Sequence, residues 1–399
     1  RRSVTVLFGG LSATSLGEAD TWEYQAPTSV TIRLSFKRVL DQNGRPNPLW
    51  TNAIISQWVT DATSILQRTA GITLQVSEIV DLPDPGNPFS WFNIDIARKT
   101  ELERVAEERP CTYFWRTNAI NIYLVNSISG GSSGYCSFPN HAIDDDDVIF
   151  LAPPQTWNGS RLLAHELGHY FFLYHTHETV FGAEGAGTCA APPQTCLNVG
   201  DKVCDTPFDP NDLAQLTRLY GQGSCEYQRL SLNVMSYYVN ITPATALLTS
   251  GQVSRMQLGL NARRHVLPTG ASITPSCQFR VGTTATISLA DPRHPLLMYV
   301  AAPAILAPLR FEFGLRMADG TELRLHPADP LLSAALSSQS PIFTGLIGRT
   351  DAQGNATSMF QIPSNIPNLP DIRLYWQAII IGPQLFETAT NVVPTIIIR

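Results

Sequence analysis

The sequence predicts a mixed α/β domain followed by an all-β sandwich, and three observations predict it. At 399 residues the chain is too long for one ordinary compact domain. Up to about residue 270, strand-like and helix-like periods interleave, an order that suits a sheet packed with helices. Beyond Cys277 the texture changes to short β-rich runs divided by Pro, Gly and Asn clusters. Domains of 1–270 and 277–399 are therefore expected.

The elements follow in order. Val30 to Val39 alternates like a strand, Leu49 to Arg68 has helical spacing with few breakers, and Ile72 to Val80 returns to strand character. Ala119 to Ile128 is a β-rich run ending in the turn material SGGSSG, and Asp147 to Leu151 is a further short apolar run. A His-rich helix begins near Ser160. After Cys277 come TATISLA, FEFGLRM, TELRLH, SMFQI, IRLYWQAIII and PTIIIR, which read as an antiparallel sandwich. His294 and His326 stand isolated there, so no catalytic cluster is expected in that region, and its expected role is to dock a substrate or a surface.

Composition narrows the function. Hydrophobic residues at 44% and charged residues at 15% describe a globular chain. A net charge of −6 without a block of Lys or Arg argues against nucleic acid and anionic membrane as partners. The longest apolar run, Leu296 to Leu309, holds two prolines and falls short of the roughly 20 residues a membrane span needs. The chain opens RRSVTVLFGG without Met or a secretory apolar core, which reads as the start of a processed form.

Seven cysteines, four of them between Cys189 and Cys225, fit disulfides formed in an oxidising compartment, hence a secreted protein. A second metal site is the alternative, against which stands the absence of any C-x-x-C pair. Cys111 and Cys136 flank one strand and could close one loop. Cys189, Cys196, Cys204 and Cys225 could form two bridges, with connectivity open, and Cys277 is then left over.

The chemistry is carried by SRLLAHELGHYFFLYHTH, Ser160 to His177. Leu162, Leu163, Leu167 and Phe171 offer an apolar face, and His165 and His169, four apart, lie one turn from each other on one side. Together they can grip one ion. His175 supplies a third ligand, and three neutral imidazoles bind Zn²⁺ while leaving a fourth position for water. Glu166, beside the first ligand, is set to take that water's proton. A chance H-E-x-x-H is expected in roughly one such chain in a hundred, before the third His is counted. A different third ligand, Glu178 or Glu184, stays open, as does a helix with histidines merely on its solvated face. Tyr237 offers a phenol that can donate to a developing oxyanion, or else is a core tyrosine.

HELGHYFFLYH resembles the extended zinc signature of the metzincin clan, and NVMSY, Asn233 to Tyr237, resembles its Met-turn. GYCSFP (Gly134 to Pro139), the LYHT ending of the signature, GDKVCDTP (Gly200 to Pro207) and SGQVSRM (Ser250 to Met256) resemble, more narrowly, the pappalysin family of metalloendopeptidases. The resemblance covers roughly residues 28 to 265. It implies a metzincin-like twisted mixed sheet over an active-site helix, with substrate along the sheet's upper edge strand. It further implies Met235 as a floor beneath the imidazoles, Tyr237 near the metal, and structural calcium near Asp201, Asp205 and Thr206, whose oxygens suit that ion. The run Asp144 to Asp147 reads instead as solvated turn charge.

One departure stands out. Where the clan pattern has Gly, this chain has Phe172, and a left-handed turn there would cost about 1 to 2 kcal/mol. The expected function is thus a zinc-dependent endopeptidase acting on protein or peptide substrates. A protease-like binding protein without activity and a metzincin outside the pappalysins are the alternatives, and retention of Glu166 argues against the former.

Overall fold

The computed structural model describes residues 29–397, except 85, 87–89, 137–147, 155–158, 184–187, 190–194, 239–240, 278, 310–313, 337–341, 365–371 and 384. Its first half is built on a five-stranded sheet. The order is Ile72–Pro83, Val30–Leu40, Ile120–Leu124, Val148–Leu151 and Gly134–Cys136. The first four strands run parallel, and the short edge strand Gly134–Cys136 runs antiparallel.

The central strands are nearly all apolar because both faces are covered. Ile120, Ile122, Leu124, Ile149 and Leu151 point to one face, where they meet Ile55, Ile65 and Leu66 of one helix and Leu162, Leu163 and Leu167 of another. Tyr123, Val148 and Phe150 point the other way, against Trp91, Leu102, Ala106 and Tyr113. The period of 2 thus sorts each strand between two cores.

The helix Asn52–Ala70 starts where the Thr51 hydroxyl accepts from the Ile54 amide, and it ends where Gly71 takes a left-handed φ of 69°. These caps set bounds that apolar spacing alone placed at Leu49 to Arg68. The helix Lys99–Glu108 lies under the sheet's other face with Glu103, Glu107 and Glu108 buried.

The C-terminal half is dominated by two antiparallel sheets. One pairs Ile347–Arg349, Met298–Ala304 and Ile372–Ile381, the last also flanked by Thr388–Ala389 and Val393–Ile397. The other is ordered Phe343–Thr344, Asn355–Gln361, Thr284–Ala290 and Ser272–Pro275. Ile273, Ile287, Leu289 and Phe360 from one sheet share a core with Tyr299, Ala301, Leu374 and Trp376 from the other. The apolar run beginning at Leu296 supplies a strand despite Pro303. From FEFGLRM and TELRLH only the two-residue strands Leu315–Arg316 and Glu322–Leu323 are described.

The halves are stapled by a disulfide between Cys111 and Cys277, 166 residues apart. Beside it, Arg33 donates to the Leu267 carbonyl at 2.7 Å, the hydroxyls of Thr117 and Thr274 lie 2.6 Å apart, and Arg373 pairs with Glu108. This corrects the pairing of Cys111 with Cys136. The Cys136 side chain joins the core on the face covered by the helix Asn52–Ala70, whereas Cys111 follows the helix Lys99–Glu108 on the opposite face, so the sheet lies between them. Cys277 is therefore bridged, and Cys136 remains a buried thiol. The other bridges are Cys189 to Cys225 and Cys196 to Cys204, two as expected. Among the described residues no helix is long and apolar enough to cross a membrane.

Candidate metal centre

The helix Gly159–Tyr170 turns Leu162, Leu163 and Leu167 into the core, which fixes its rotation and sends His165 and His169 to the opposite side. It stops at a left-handed residue, Phe172, with φ 74°. The Leu173 amide donates back to the Gly168 carbonyl at 2.9 Å and the Phe172 amide to His169 at 3.0 Å, the two bonds of a Schellman ending. Phe172 thus occupies the turn that favours Gly. Its ring is buried, Arg255 donates to its carbonyl at 2.6 Å, and Gly259 leaves room where a Cβ would come within 2.7 Å of the ring. The turn delivers His175 back toward the helix.

His165, His169 and His175 are brought together, with one ligand nitrogen from each lying within 4.8 Å of the others. Nε2 of His169 is 3.1 Å from Nε2 of His165 and 3.0 Å from Nε2 of His175. The Nδ1–H of His165 donates to the Val234 carbonyl at 2.8 Å, and that of His169 to the Leu173 carbonyl at 2.7 Å. Each of these rings therefore presents a bare Nε2 lone pair. Two lone pairs at this distance repel unless a cation sits between them. A tetrahedral ion with bonds of about 2.0–2.1 Å spaces its donors by about 3.3 Å, so the triad fits a small dication. Burial holds His165 well below the usual imidazole range, His169 down to about 4, and His175 lower still, with neighbouring imidazoles adding to the effect on His165 and His175. All three are neutral at neutral pH and free to ligate.

Glu166 is buried, and burial pushes its carboxyl up to about 8. A bound dication would favour the carboxylate and reverse that direction. Gly134, on the edge strand, makes its place: a Cβ there would stand 2.4 Å from Oε1 of Glu166. Met235 is fully buried, its sulfur occupying the space that a Cβ on Gly168 would fill. Tyr237 is 43% exposed, and its hydroxyl lies 3.1 Å from Nε2 of His175.

Glu178 is spent differently, its carboxylate accepting from the amides of Thr179 and Val180, and Glu184 lies outside the described residues, as do Asp144 to Asp147. The expected calcium residues separate. The Thr206 hydroxyl lies 2.8 Å from both carboxylate oxygens of Asp201 and 2.6 Å from the Val203 carbonyl, a convergence of hard oxygens. Asp205 does not join it. Its carboxylate accepts from Thr249, Ser250 and the Gly251 amide at the start of the helix Ser250–Ala262, where unsatisfied N–H groups favour a carboxylate.

Four residues that the sequence did not single out complete the site. Besides Gly134, Arg161 is almost wholly buried and donates to the carbonyls of Ser236 and Tyr238, on either side of Tyr237. His177 stacks on His175 with ring centroids 5.0 Å apart and packs edge-on against Tyr237. Asp209 lies behind the loop that carries His175. The sequence signals were the places of Gly134 in GYCSFP and of His177 in the His-rich stretch, and Arg161, a charge four residues before His165 on the same helix.

The family described as pregnancy-associated plasma protein-A, Peptidase_M43, has a model that matches residues 107–261, a span containing the whole triad, Glu166 and the Met235 turn. Residues 107–261 are therefore similar to the pappalysin family of metalloproteases. Among curated proteins, the chain is similar to an extracellular metalloprotease of Arthroderma otae, 28% identical over 172 residues, covering 35% of this chain and 57% of that one. An extracellular metalloprotease of Colletotrichum graminicola is 31% identical over 101 residues, covering 22% of this chain and 30% of the other. The chain thus spans about half the length of the curated relatives it matches. A solved structure, metalloproteinase-II from Bacteroides fragilis, covers 59% of this chain and 55% of its own at 13% identity, but its TM-score of 0.29 carries no argument. The pappalysin match ends at Asn261, before the two C-terminal sheets.

Proposed function

We propose that the chain is a secreted zinc endopeptidase that hydrolyses peptide bonds of protein substrates. The observation that carries this reading is the convergence of three imidazoles, with Nε2 of His169 3.1 Å from that of His165 and 3.0 Å from that of His175, on the helix that also bears the buried Glu166. The pappalysin match and the extracellular metalloproteases among its relatives support it, as do the disulfides.

His165, His169 and His175 would hold a zinc ion, which when bound would supply an acidified water with a pKa of about 7 and a Lewis acid for the scissile carbonyl. Glu166 accepts the water's proton at its carboxylate and passes it to the leaving amine. Tyr237 donates its phenolic hydrogen to the oxyanion that develops on the carbonyl, a contact worth about 3 to 4 kcal/mol in comparable sites. Met235 fills the space under Gly168 and keeps the helix and the tyrosine-bearing turn in register.

The structural calcium that the resemblance implies is proposed at the oxygens of Asp201, Thr206 and the Val203 carbonyl, which are joined to one another by hydrogen bonds of the Thr206 hydroxyl, and without Asp205. The C-terminal sheets, read as a sandwich spanning about 277–399, act as an accessory module that docks substrate or a surface. Casein digestion tests the reading. Cleavage is abolished by a chelator and restored by zinc, and Glu166→Gln keeps its zinc while losing nearly all activity. Activity that persists in the chelated protein, or a Glu166→Gln variant with wild-type rates, would refute it; a zinc-loaded wild type that never cleaves would instead mark a binding protein.

A further inference from the structure

Asp209 is a carboxylate buried to 4% exposure that no step of the proposed chemistry uses. Thr176 and Tyr238 donate their hydroxyls to its two oxygens, and the Asn211 amide donates at 2.8 Å. Thr176 follows the ligand His175, and Tyr238 follows Tyr237. The two pairs are used differently: Thr176 and Tyr238 reach Asp209, whereas the His175 ring and the Tyr237 hydroxyl meet each other at 3.1 Å. The Thr176 amide also donates to the Met235 carbonyl at 3.3 Å, drawing the two segments side by side.

The base beneath Asp209 is firm. Its segment is held by the Tyr220 hydroxyl on the Phe208 carbonyl at 3.1 Å and by Arg229 on the Asp205 carbonyl at 2.8 Å. Leu216 and Leu230, from the two short helices that follow, pack with Tyr238 itself. The bridge from Cys189 to Cys225 anchors the second of those helices.

We propose that Asp209 is a positioning residue that clamps the loop of the third zinc ligand to the segment bearing the oxyanion-binding tyrosine. The clamp rests on the peptidase reading above, but it acts on the chain whether or not a substrate is cleaved. By accepting from both hydroxyls, one carboxylate fixes the separation of His175 and Tyr237, whose polar atoms lie 3.1 Å apart. Losing it leaves two buried hydroxyls without their acceptor and frees both segments.

The test compares Asp209→Ala, Asp209→Asn, Thr176→Val and Tyr238→Phe in the full chain. Zinc release to a chromogenic chelator, kcat and KM on a quenched peptide, and hydrogen exchange in the zinc-free protein are measured. Asp209→Ala should release zinc and lose kcat by about 10- to 100-fold, the range for removal of a residue that orients ligands, with a smaller change in KM. Asp209→Asn, which keeps an acceptor oxygen, should recover most of both losses. Thr176→Val should act mainly on zinc release and Tyr238→Phe mainly on kcat, and these two decide the matter if Asp209→Ala does not fold. Hydrogen exchange should quicken at 175–178 and 234–238 together. Wild-type zinc release and kcat in Asp209→Ala, no rescue by Asn, or no effect of either hydroxyl variant would overturn the clamp. Altered zinc release and exchange in a protein whose wild type cleaves nothing would uphold the clamp and sink the peptidase reading instead.

Discussion

Replacing Phe172 by Gly restores the residue expected at the helix-ending turn, and we predict that it destabilises the protein. Phe172 sits at φ 74°, a conformation costing an L-residue about 1 to 2 kcal/mol, and Gly removes that cost. Against the gain stands the ring, which is only 6% exposed and packs on Gly259. Truncating a buried Phe costs about 3 to 5 kcal/mol, and the added chain entropy of Gly costs about 0.5 to 1 more. The sum is a net loss of about 1.5 to 5 kcal/mol. Phe172→Ala loses the same ring and keeps the left-handed strain, so it should be weaker than Phe172→Gly by a further margin of up to about 1.5 kcal/mol. Guanidinium denaturation at fixed excess zinc reads both differences as midpoint shifts. An order other than wild type, then Gly, then Ala would refute the reasoning: Gly at or above wild type means the ring contributes nothing, and Ala at or above Gly means the turn is not left-handed.

Other perturbations test other parts of the molecule. His175→Ala should weaken zinc by more than the roughly 100-fold that loss of an outer partner costs, measured by chelator competition; undiminished affinity would remove His175 from the ligand set. Arg161→Met strands the carbonyls of Ser236 and Tyr238, and at about 1 to 3 kcal/mol for each buried acceptor the variant should lose about 2 to 6 kcal/mol in the same denaturation assay, whereas a change within about 0.5 kcal/mol would contradict the contact. In the unreduced, denatured protein an alkylating reagent should label Cys136 and spare Cys277, and the Cys111→Ser, Cys277→Ser double variant should lose up to about 5 kcal/mol, the entropy of a closed loop of 166 residues. Calcium at a hundredfold excess over its Kd should add about 2.7 kcal/mol at fixed zinc, and Asp201→Asn should abolish the gain; identical melts with and without calcium count against that site.

Local physics wrote much of this protein into its sequence. The strands show their period, the long helix its apolar face, and His165 and His169 their one-turn spacing, because residues two or four apart meet through the backbone they share. Even the oddity of Phe172 was legible, since a helix must end before the chain can return to the metal.

What the tertiary structure decided are the meetings of residues far apart in the chain. The carbonyl that orients His165 comes from Val234, Arg161 grips segments more than 70 residues away, and Asp209 reaches both Thr176 and Tyr238. No spacing rule predicts such pairs. Spacing lets Cys111 close a loop with the nearer Cys136, because sequence distance is blind to which face of a sheet a side chain occupies. The resemblance of GDKVCDTP groups Asp205 with Asp201, yet Asp205 caps a helix that begins 45 residues later. The helix Lys99–Glu108 hid its buried face behind three glutamates, of which Glu108 is neutralised by Arg104 and by Arg373, the latter from the far end of the chain. The residues that could bind a metal were readable because a helix presents them together; the residues that hold them there were not, because only folding brings them near.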